Sequence, residues 1–344
     1  MANTVFVSDE TVQQVLDWKE MVDRLREAHA ADLHPQFAPP RTMARGKQGE
    51  WTRALCAVPA GPIMGTKFFA LAAAGGGIRY CIALFQKTDS ALVALVDANT
   101  VTARRTAGAT AVALDKLAPD KPLSLGILGS GHEASAHVNA VGATRKFTSI
   151  KVFSPTPANR QAFAEKFSKQ LGIPCQAVAS AREAVEGVEM VICATSTRGG
   201  EPSLKGEWLK KGQTIGAIGS TLPEQWECDP ASIAAADLIV CDNAEEVAEG
   251  TGDFIEAKKA GVKFEDKIFD LPDLVKGKLD AKVKSAGITM YRSAGTGLQD
   301  VVVAELAWRR AVEKGLAVEL PMQLFHKGAR ARPPAATPEP ARAK

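Results

Sequence analysis

The chain has 344 residues and a formal net charge of +3, with 46% hydrophobic and 24% charged residues. This composition is typical of a globular protein, and the length suffices for two domains that each bury a core. The small net charge gives no reason to expect nucleic acid or a membrane surface as a partner. No uncharged apolar run reaches the 18 residues typical of a membrane span.

The N-terminus lacks the basic and apolar regions of a secretory signal. Six cysteines are scattered along the chain without metal-ligand spacing. We therefore expect a cytoplasmic protein whose thiols are reduced and mostly buried, with no disulfide and no metal site.

The first predicted element is a helix over residues 9–31, with Ser8 or Asp9 as its cap. The proline-rich stretch "LHPQFAPPRTMARGKQGE" that follows is typical of a loop. From Trp51 to Val96, short apolar runs between Gly and Pro breaks predict several strands of an antiparallel or mixed sheet. An alanine-rich helix follows, capped by Asn99 or Thr100, and its small side chains imply close packing against the sheet or a second subunit.

After Pro122 the chain alternates between apolar strands and helices, beginning with "LSLGILG" and "HEASAHVNAVGA". Repeated β-α alternation with strands of near-continuous apolar content predicts an α/β doubly wound parallel sheet. The segment "ITMYRSAGTGLQDVVVAELAWRRAVEKG" predicts a strand, a glycine turn and a long helix that return to the first domain. Residues 331–344 have almost nothing to bury and are expected to be a disordered tail.

A glycine turn lies between the first strand and helix of this second region. Gly129, Gly131 and Ala134 satisfy the GxGxxG/A pattern, which gives a tight turn, close backbone approach to a pyrophosphate and close packing of helix on strand. The helix N-terminus then faces the anion with unpaired N–H groups. We expect the whole turn to bind a dinucleotide through Gly129, Ser130, Gly131, His132, Glu133 and Ala134, the alternative being a purely structural turn.

The end of the second strand of this region predicts which dinucleotide binds. NAD enzymes usually place an acidic residue there for the ribose 2′-hydroxyl. This chain has Ser154 and Thr156, with Arg160 close by and no acid. Hydroxyls and a guanidinium suit a 2′-phosphate, so NADP(H) is favoured and NAD(H) remains possible. In the alternative interpretation these residues only shape a turn and a solvated helix face.

Several stretches together resemble the ornithine cyclodeaminase/mu-crystallin family along nearly the whole chain. They are "PPRTMARG", "MGTKFFA", "TARRTAGATAVALDKLAP", "LGILGSGHEASAHVNAV", "IGSTLPEQWECDP" and "YRSAGTGLQDVVVAELA". The resemblance implies a Rossmann-type domain, residues 119–287, inserted into an α+β substrate-binding and dimerisation domain, residues 1–118 plus 288–330. It also implies a homodimer that acts on α-amino or α-imino acids with a nicotinamide cofactor.

By the same resemblance, Arg105, Lys67 and Arg41 match the family's substrate-binding cations, with Arg45 as a competitor for Arg41. A guanidinium can hold a carboxylate by two parallel hydrogen bonds. A lysine beside a nicotinamide can protonate or polarise an imine, and its pKa falls readily when it is desolvated. Lys67 is therefore assigned both a binding and a catalytic role.

Two positions depart from the ornithine cyclodeaminases. Thr221 stands where those enzymes have an aspartate that assists deprotonation, and a threonine cannot act as a base near neutral pH. Cys56 stands, by ungapped matching, where a glutamate helps to hold the distal amine. Asp229 or Glu224 could replace the missing base if the register differs. Thr221 is retained as a catalytic position of the family motif.

Further cofactor contacts are expected from the ends of other parallel strands and from the closing glycine segment. These residues are Thr195, Ser196, Thr197, Gly219 and Gly295. His132 could touch a phosphate or solvent, and His137 is expected to pack against the sheet.

The leading hypothesis is an NADPH-dependent reductase of α-imino acids, of the ketimine or Δ1-pyrroline- and Δ1-piperideine-2-carboxylate type. In reverse it would be an amino-acid dehydrogenase. One alternative is an ornithine or lysine cyclodeaminase that recycles NAD, and another is a non-catalytic NADPH-binding protein like mu-crystallin.

Overall fold

The structure is a computed structural model that describes residues 3–73, 77–195, 200–219 and 221–321. The predicted tail, residues 331–344, lies outside this part of the chain. The strands are β1 (Val5–Val7), β2 (Thr42–Arg45), β3 (Trp51–Ala57), β4 (Ile63–Leu71), β5 (Ile78–Gln86), β6 (Leu92–Asp97), β7 (Leu123–Leu128), β8 (Phe147–Phe153), β9 (Cys175–Ala177), β10 (Met190–Cys193), β11 (Thr214–Ala217), β12 (Leu238–Cys241), β13 (Ile268–Asp270), β14 (Thr289–Arg292) and β15 (Val318–Glu319).

The helices alternate with these strands in the second half of the chain. They are α1 (Asp9–Val15), α2 (Trp18–Ala30), α3 (Asn99–Leu117), α4 (His132–Gly142), α5 (Pro157–Leu171), α6 (Ala181–Val185), α7 (Pro230–Ala235), α8 (Ala244–Gly250), α9 (Gly252–Lys259), α10 (Leu271–Val275), α11 (Asp280–Ser285) and α12 (Gly297–Glu313). A short 3₁₀ helix spans Gly206–Trp208.

Among the described residues the strands form two sheets. The first is mixed, in the order β15-β1-β6-β5-β4-β3-β2, with β1 parallel to β6 and the other neighbours antiparallel. The second is entirely parallel, in the order β13-β12-β14-β11-β10-β7-β8-β9. Its order reverses between β7 and β10, which is the switch point where doubly wound sheets bind ligands. The predicted α/β class is confirmed.

The N-terminal region differs from the prediction in three places. Two helices replace the single one, because Asp17 accepts a hydrogen bond from the backbone N–H of Glu20 and starts α2. The N-cap of α1 is Ser8, which is one of the two residues predicted for this position. Helix α3 is not capped by Asn99 or Thr100, since Ala98 is its N-cap and the Asp9 carboxylate accepts from the Thr100 N–H at 2.7 Å. Strand β2 forms within the predicted loop, exposed along its length.

Helix α3 joins the two halves of the molecule, because it packs against α2, α4 and α12 and also touches both sheets. Its alanine and glycine residues are nearly all buried. A Cβ on Gly108 would lie 2.6 Å from Leu25 Cδ1, so glycine is needed for this close approach to α2. The predicted close packing is therefore within the chain.

The return to the first sheet occurs later than the sequence suggested. Strand β14 lies inside the parallel sheet between β12 and β11, and only α12 crosses to pack on β3, β4 and β5. A domain boundary near residue 288 would therefore divide the parallel sheet, and the crossing itself comes after Arg292. All four β14 side chains are buried. This burial fits a strand inside a parallel sheet, because such a sheet is covered on both faces.

The cysteines form no disulfide. Cys193, Cys228 and Cys241 are buried, Cys81 and Cys175 are half-buried, and Cys56 is exposed. None of the helices in the described residues is both long enough and apolar enough to cross a membrane. Over the same residues, no cluster of three or more His, Cys, Asp and Glu side chains is arranged to hold a metal ion.

Candidate active site

A cavity of about 410 Å³ lies between the first sheet and the carboxyl ends of the parallel strands. One wall consists of side chains from β3, β4, β5 and α3, and the other of the turns that follow β7, β10, β11 and β14. Its lining residues are Arg41, Arg53, Leu55, Lys67, Phe69, Tyr80, Thr102, Arg105, Thr106, Gly131, His132, Glu133, Ala194, Thr195, Ile218, Gly219, Thr221, Ser293 and Ala294.

Two of the predicted cations share one buried carboxylate. Asp300, at the start of α12, pairs with Lys67 Nζ at 2.7 Å and with Arg105 Nε at 2.8 Å. Arg105 also donates to Gln299 Oε1 at 3.3 Å. Asp300 is fully buried, and both cations are almost so. Because one carboxylate holds both cations, their positions are fixed relative to each other, and the trio carries a net charge of +1 when Lys67 is protonated.

Burial lowers the pKa of Lys67 to about 7, with the neighbouring Arg105 acting in the same direction and Asp300 opposing it. The ammonium lies 5.1 Å from the centre of the Phe69 ring. A lysine with such a pKa can both release and accept a proton near neutral pH, which is what an acid–base group requires.

Arg53 is a cation of the cavity that the sequence analysis missed. On β3 it pairs with Phe69 of β4, while Leu55 pairs with Lys67, so these side chains share one face of the sheet. Arg53 is 6% exposed and lies 5.2 Å from the Trp51 ring centre. Burial lowers its pKa to about 10, so it stays charged at neutral pH. The alternation of residue types along β3 could have indicated that Arg53 and Leu55 lie on the same face of the strand. It could not have indicated which face of the sheet the cavity occupies.

The structure separates the two candidate arginines of the early segment. Arg41 lines the cavity, forms an ion pair with Glu246 and donates to the carbonyl oxygens of Ala294 and Gly295 at 2.9 and 3.0 Å. Arg45 is half-exposed on β2, does not line the cavity and pairs with Glu224 at 3.6 Å. Both arginines therefore link the first half of the chain to the second.

The glycine turn closes the opposite wall. Gly129 has φ +108°, and a Cβ there would collide with the carbonyl oxygen of Ala194. No atom lies within 4 Å of a Cβ built on Gly131, which is the N-cap of α4 and supplies no side chain to its N–H groups. This open, uncapped helix start beside the switch point fits the pyrophosphate of a dinucleotide. Ser130 lies in the turn, where its hydroxyl donates to Ser154, and Ala134 is fully buried beneath it.

Glu133 faces the cations across the cavity. Its Oε2 is buried and makes no hydrogen bond with the described residues. Burial raises the pKa of its carboxyl group, while the positive charges of Arg105 and Lys67 oppose that rise. Glu133 is therefore a second group in the cavity, besides Lys67, that can take up or release a proton. The sequence predicted it only as part of the dinucleotide-binding turn.

A buried glutamate ties two strand ends together. Glu227 accepts hydrogen bonds from the backbone N–H groups of Thr195, Ile218 and Gly219 and from the Thr195 hydroxyl. Burial raises its pKa to about 7. A Cβ on Gly219 would collide with this arrangement, so glycine is required there. Glu227 thereby fixes the edge on which a cofactor would lie, and no local pattern in the sequence signals it.

Asp242 holds the closing glycine segment in the same way. Its carboxylate accepts from the Ser293 hydroxyl and from the N–H groups of Ala294 and Gly295 at 2.7 to 2.9 Å. Gly295 has φ +82°, and a Cβ there would collide with the Arg105 guanidinium. Gly295 does not line the cavity, so its observed position supports a turn that packs against Arg105.

The residues predicted to choose the dinucleotide lie together at the end of β8. Ser154 is buried beside Ser130, and Thr156 is the exposed N-cap of α5. Arg160 donates to the Ser154 carbonyl oxygen at 2.7 Å and lies over the Phe153 ring. None of the three carries a negative charge.

The remaining predicted contacts fall in different places. His132 lines the cavity, whereas His137 is fully buried and its Nε2 lies 3.1 Å from Thr110 Oγ1 of α3, so it packs against this helix. Desolvation lowers the pKa of His137 to about 4, so the ring is neutral at physiological pH. Thr195 lines the cavity, while Ser196 and Thr197 lie outside the described residues.

The positions special to ornithine cyclodeaminases bring no base to the cavity. Thr221 lines it, but Glu224 pairs with Arg45 on the surface and Asp229 caps α7 through the Ser232 N–H. Cys56 is exposed on the other face of β3 from the cavity, where Leu55 stands instead.

Fold and cavity together define a two-region α/β protein with a dinucleotide-type parallel sheet and a cationic pocket facing its switch point. The model of the ornithine cyclodeaminase/mu-crystallin family matches residues 4–315, so the chain belongs to this family. The predicted family is confirmed.

Named relatives indicate the class of chemistry within the family. The ketimine reductase mu-crystallin of Mus musculus is 30% identical over 227 residues, 66% of this chain and 68% of its own length. The iminosuccinate reductase of Paracoccus denitrificans is 31% identical over 237 residues, 69% of this chain and 72% of its own. The solved structure of Thermococcus litoralis Δ1-pyrroline-2-carboxylate reductase with NADH and L-proline covers 92% of this chain and 100% of its own, with a TM-score of 0.83 and 27% identity. The expected enzyme class, oxidoreductases acting on carbon–nitrogen bonds, is the class of these relatives.

Proposed function

We propose that the protein is an NAD(P)H-dependent reductase of α-imino acids, and in reverse an amino-acid dehydrogenase. One observation carries the proposal: Arg105 and Lys67, held by Asp300, face the glycine turn across a single cavity. A cationic pocket of this kind suits the carboxylate of an amino or imino acid, and the turn suits the cofactor's phosphates.

In this proposal Arg105 seats the α-carboxylate, with Lys67 beside it, and orients the imine carbon toward the parallel strand ends. The turn at Gly129 and Gly131 would hold the cofactor's phosphates, and the reduced nicotinamide would be the source of the hydride that this carbon receives, leaving the cofactor oxidised. The imine nitrogen takes one proton, which the proposal assigns to Lys67 Nζ, and the product is the amine. Charge neutralisation and positioning by fixed groups would provide most of the acceleration.

NADP(H) stays the favoured cofactor of this proposal, since Ser154, Thr156 and Arg160 surround the end of β8 without a carboxylate. The homodimer implied by the family resemblance is likewise a proposal, and light scattering of the purified protein would test it. The roles of the individual site residues are proposed on their positions.

The test follows absorbance of NADPH and of NADH with a panel of cyclic and open-chain α-imino acids. Arg105→Lys keeps the charge but loses the planar fork, and we expect kcat/KM for the imine to fall about 100-fold with unchanged cofactor affinity. Arg104→Lys is the matched control, because Arg104 is on the same helix but donates to the Leu16 and Gln13 carbonyl oxygens, away from the cavity.

Binding of cofactor without oxidation on any imine would remove the reductase proposal and favour a non-catalytic binding protein. Release of ammonia from ornithine or lysine without net cofactor turnover would favour the cyclodeaminase alternative. Thr221 at the cavity wall, with Glu224 and Asp229 engaged elsewhere, speaks against the latter.

A further inference from the structure

Two cations of the cavity, Arg41 and Arg53, have no role in the proposed mechanism, and of these Arg41 is paired with Glu246. Arg53 lies on the same sheet face as Lys67, one step diagonally across β3 and β4, a relation that separates residues by about 7 to 8 Å. Its guanidinium lines the cavity, 5.2 Å from the Trp51 ring centre and 6.0 Å from that of Phe69. These rings restrict the guanidinium, so little conformational freedom remains to be lost on binding.

Arg53 has no carboxylate within ion-pair distance among the described residues. The polar contact recorded for its side chain is from Nε to Met43 Sδ at 3.2 Å. The two carboxylates that act on it electrostatically, Glu246 and Glu224, are each paired with another arginine, Arg41 and Arg45. A nearly buried guanidinium without an anion is costly, because desolvation is then not offset by a partner.

The pairing of the charged side chains in the cavity leaves one cation available to a second anion on the ligand. Asp300 offsets one of the two charges of Lys67 and Arg105, so one α-carboxylate neutralises this trio. Glu246 offsets Arg41. Glu133 interacts electrostatically with Arg105 and Lys67. Among the described residues no carboxylate lies within ion-pair distance of Arg53, so its guanidinium still has no anionic partner after a monocarboxylic substrate has been seated.

We infer that Arg53 is a specificity-determining residue that binds a second carboxylate, so that the preferred substrates are dicarboxylic α-imino acids. The inference rests on the proposed reductase function and narrows its substrate class. In this arrangement Arg105 and Lys67 hold the α-carboxylate and the Arg53 fork receives the side-chain carboxylate by charge-assisted hydrogen bonds. Names of relatives leave the class open, since only one of the three reported is named for a dicarboxylic imine.

The experiment compares imines formed in place from ammonia and 2-oxo acids of equal length. Oxaloacetate is matched with 2-oxobutyrate, and 2-oxoglutarate with 2-oxovalerate, each with NADPH. For the unaltered protein we expect kcat/KM to be at least about tenfold higher with the dicarboxylic member. Arg53→Met should remove about 10- to 100-fold from the dicarboxylic substrates, chiefly through KM, and change the monocarboxylic ones less than about threefold.

Two further variants separate recognition from folding. Arg53→Lys keeps the positive charge and should recover part of the dicarboxylic preference, which a merely structural arginine would not do. Arg45→Met removes the half-exposed arginine of β2, outside the cavity lining, and should leave the ratio of the two substrate classes unchanged. Circular dichroism of each variant checks that the protein is folded.

An equal loss on both classes in Arg53→Met, or a monocarboxylic preference of the unaltered protein, overturns the inference while leaving the reductase proposal intact. If no imine is reduced, the reductase proposal fails. Calorimetric titration of the NADPH-loaded protein with amino acids then tests separately whether Arg53 binds a second carboxylate. L-Aspartate should then bind more tightly than L-2-aminobutyrate, and Arg53→Met should abolish the difference. No difference between the two amino acids would refute the second-carboxylate site.

Discussion

The two walls of the cavity present different kinds of chemical group. The wall formed by β3, β4 and α3 presents side-chain charges, namely Arg53, Lys67 and Arg105. The opposite wall presents mainly backbone, at Gly131 and Gly219, with strand ends fixed by Glu227. A site built from backbone groups is therefore visible in the sequence as a local motif, whereas a site built from side chains depends on partners that are distant in the sequence.

The largest expected effect comes from breaking the side-chain wall at its anion. Asp300→Asn leaves the buried cations Lys67 and Arg105 without a charge partner, so we expect the free energy of unfolding to fall by about 3 to 5 kcal/mol. Urea denaturation measures it. Lys259→Gln breaks the surface pair with Glu256 and should cost less than about 0.5 kcal/mol. Equal effects of the two substitutions would contradict the importance assigned to Asp300.

A second test concerns the proton that this wall would supply. Because the pKa of Lys67 is lowered to about 7, its protonated fraction falls as pH rises through 7. We expect kcat/KM for imine reduction to fall about tenfold per pH unit above that value, and the reverse oxidation to rise toward it from acid pH. Lys67→Arg stays charged and should lose this limb of the pH profile. A profile that is the same in both proteins would exclude Lys67 as the proton donor.

The smallest effect is expected at the end of β8, beside the backbone wall, where the proposal gives Arg160 a part in cofactor affinity. Arg160→Ala should weaken NADPH about tenfold and NADH less than twofold, since only the former has a 2′-phosphate. Fluorescence titration of the bound cofactor measures both. Lys166→Ala, an exposed cation farther along α5, is the control. Equal weakening of both cofactors by Arg160→Ala would place the 2′-phosphate elsewhere.

Much of the fold was predictable because its signals are local. The strands β3 to β6 follow the apolar runs between Gly and Pro, and β7, β10 and β11 follow the near-continuous apolar segments of a doubly covered sheet. Strand β2 was missed because all of its residues are exposed and only its pairing with β3 defines it. Strand β14 was predicted, but its place in the parallel sheet was missed, because its neighbours β11 and β12 are far away in the chain.

For the site, the glycine turn could be predicted from the sequence, because Gly129 answers a steric requirement of its own backbone. With the family pattern it also indicated Arg105 and Lys67. The folded structure was needed to show that Asp300, 195 residues beyond Arg105, holds both, and that Arg53 lines their cavity with no carboxylate partner among the described residues. The reason is that charge pairing and burial depend on which segments meet in space, and short patterns of residues do not encode that.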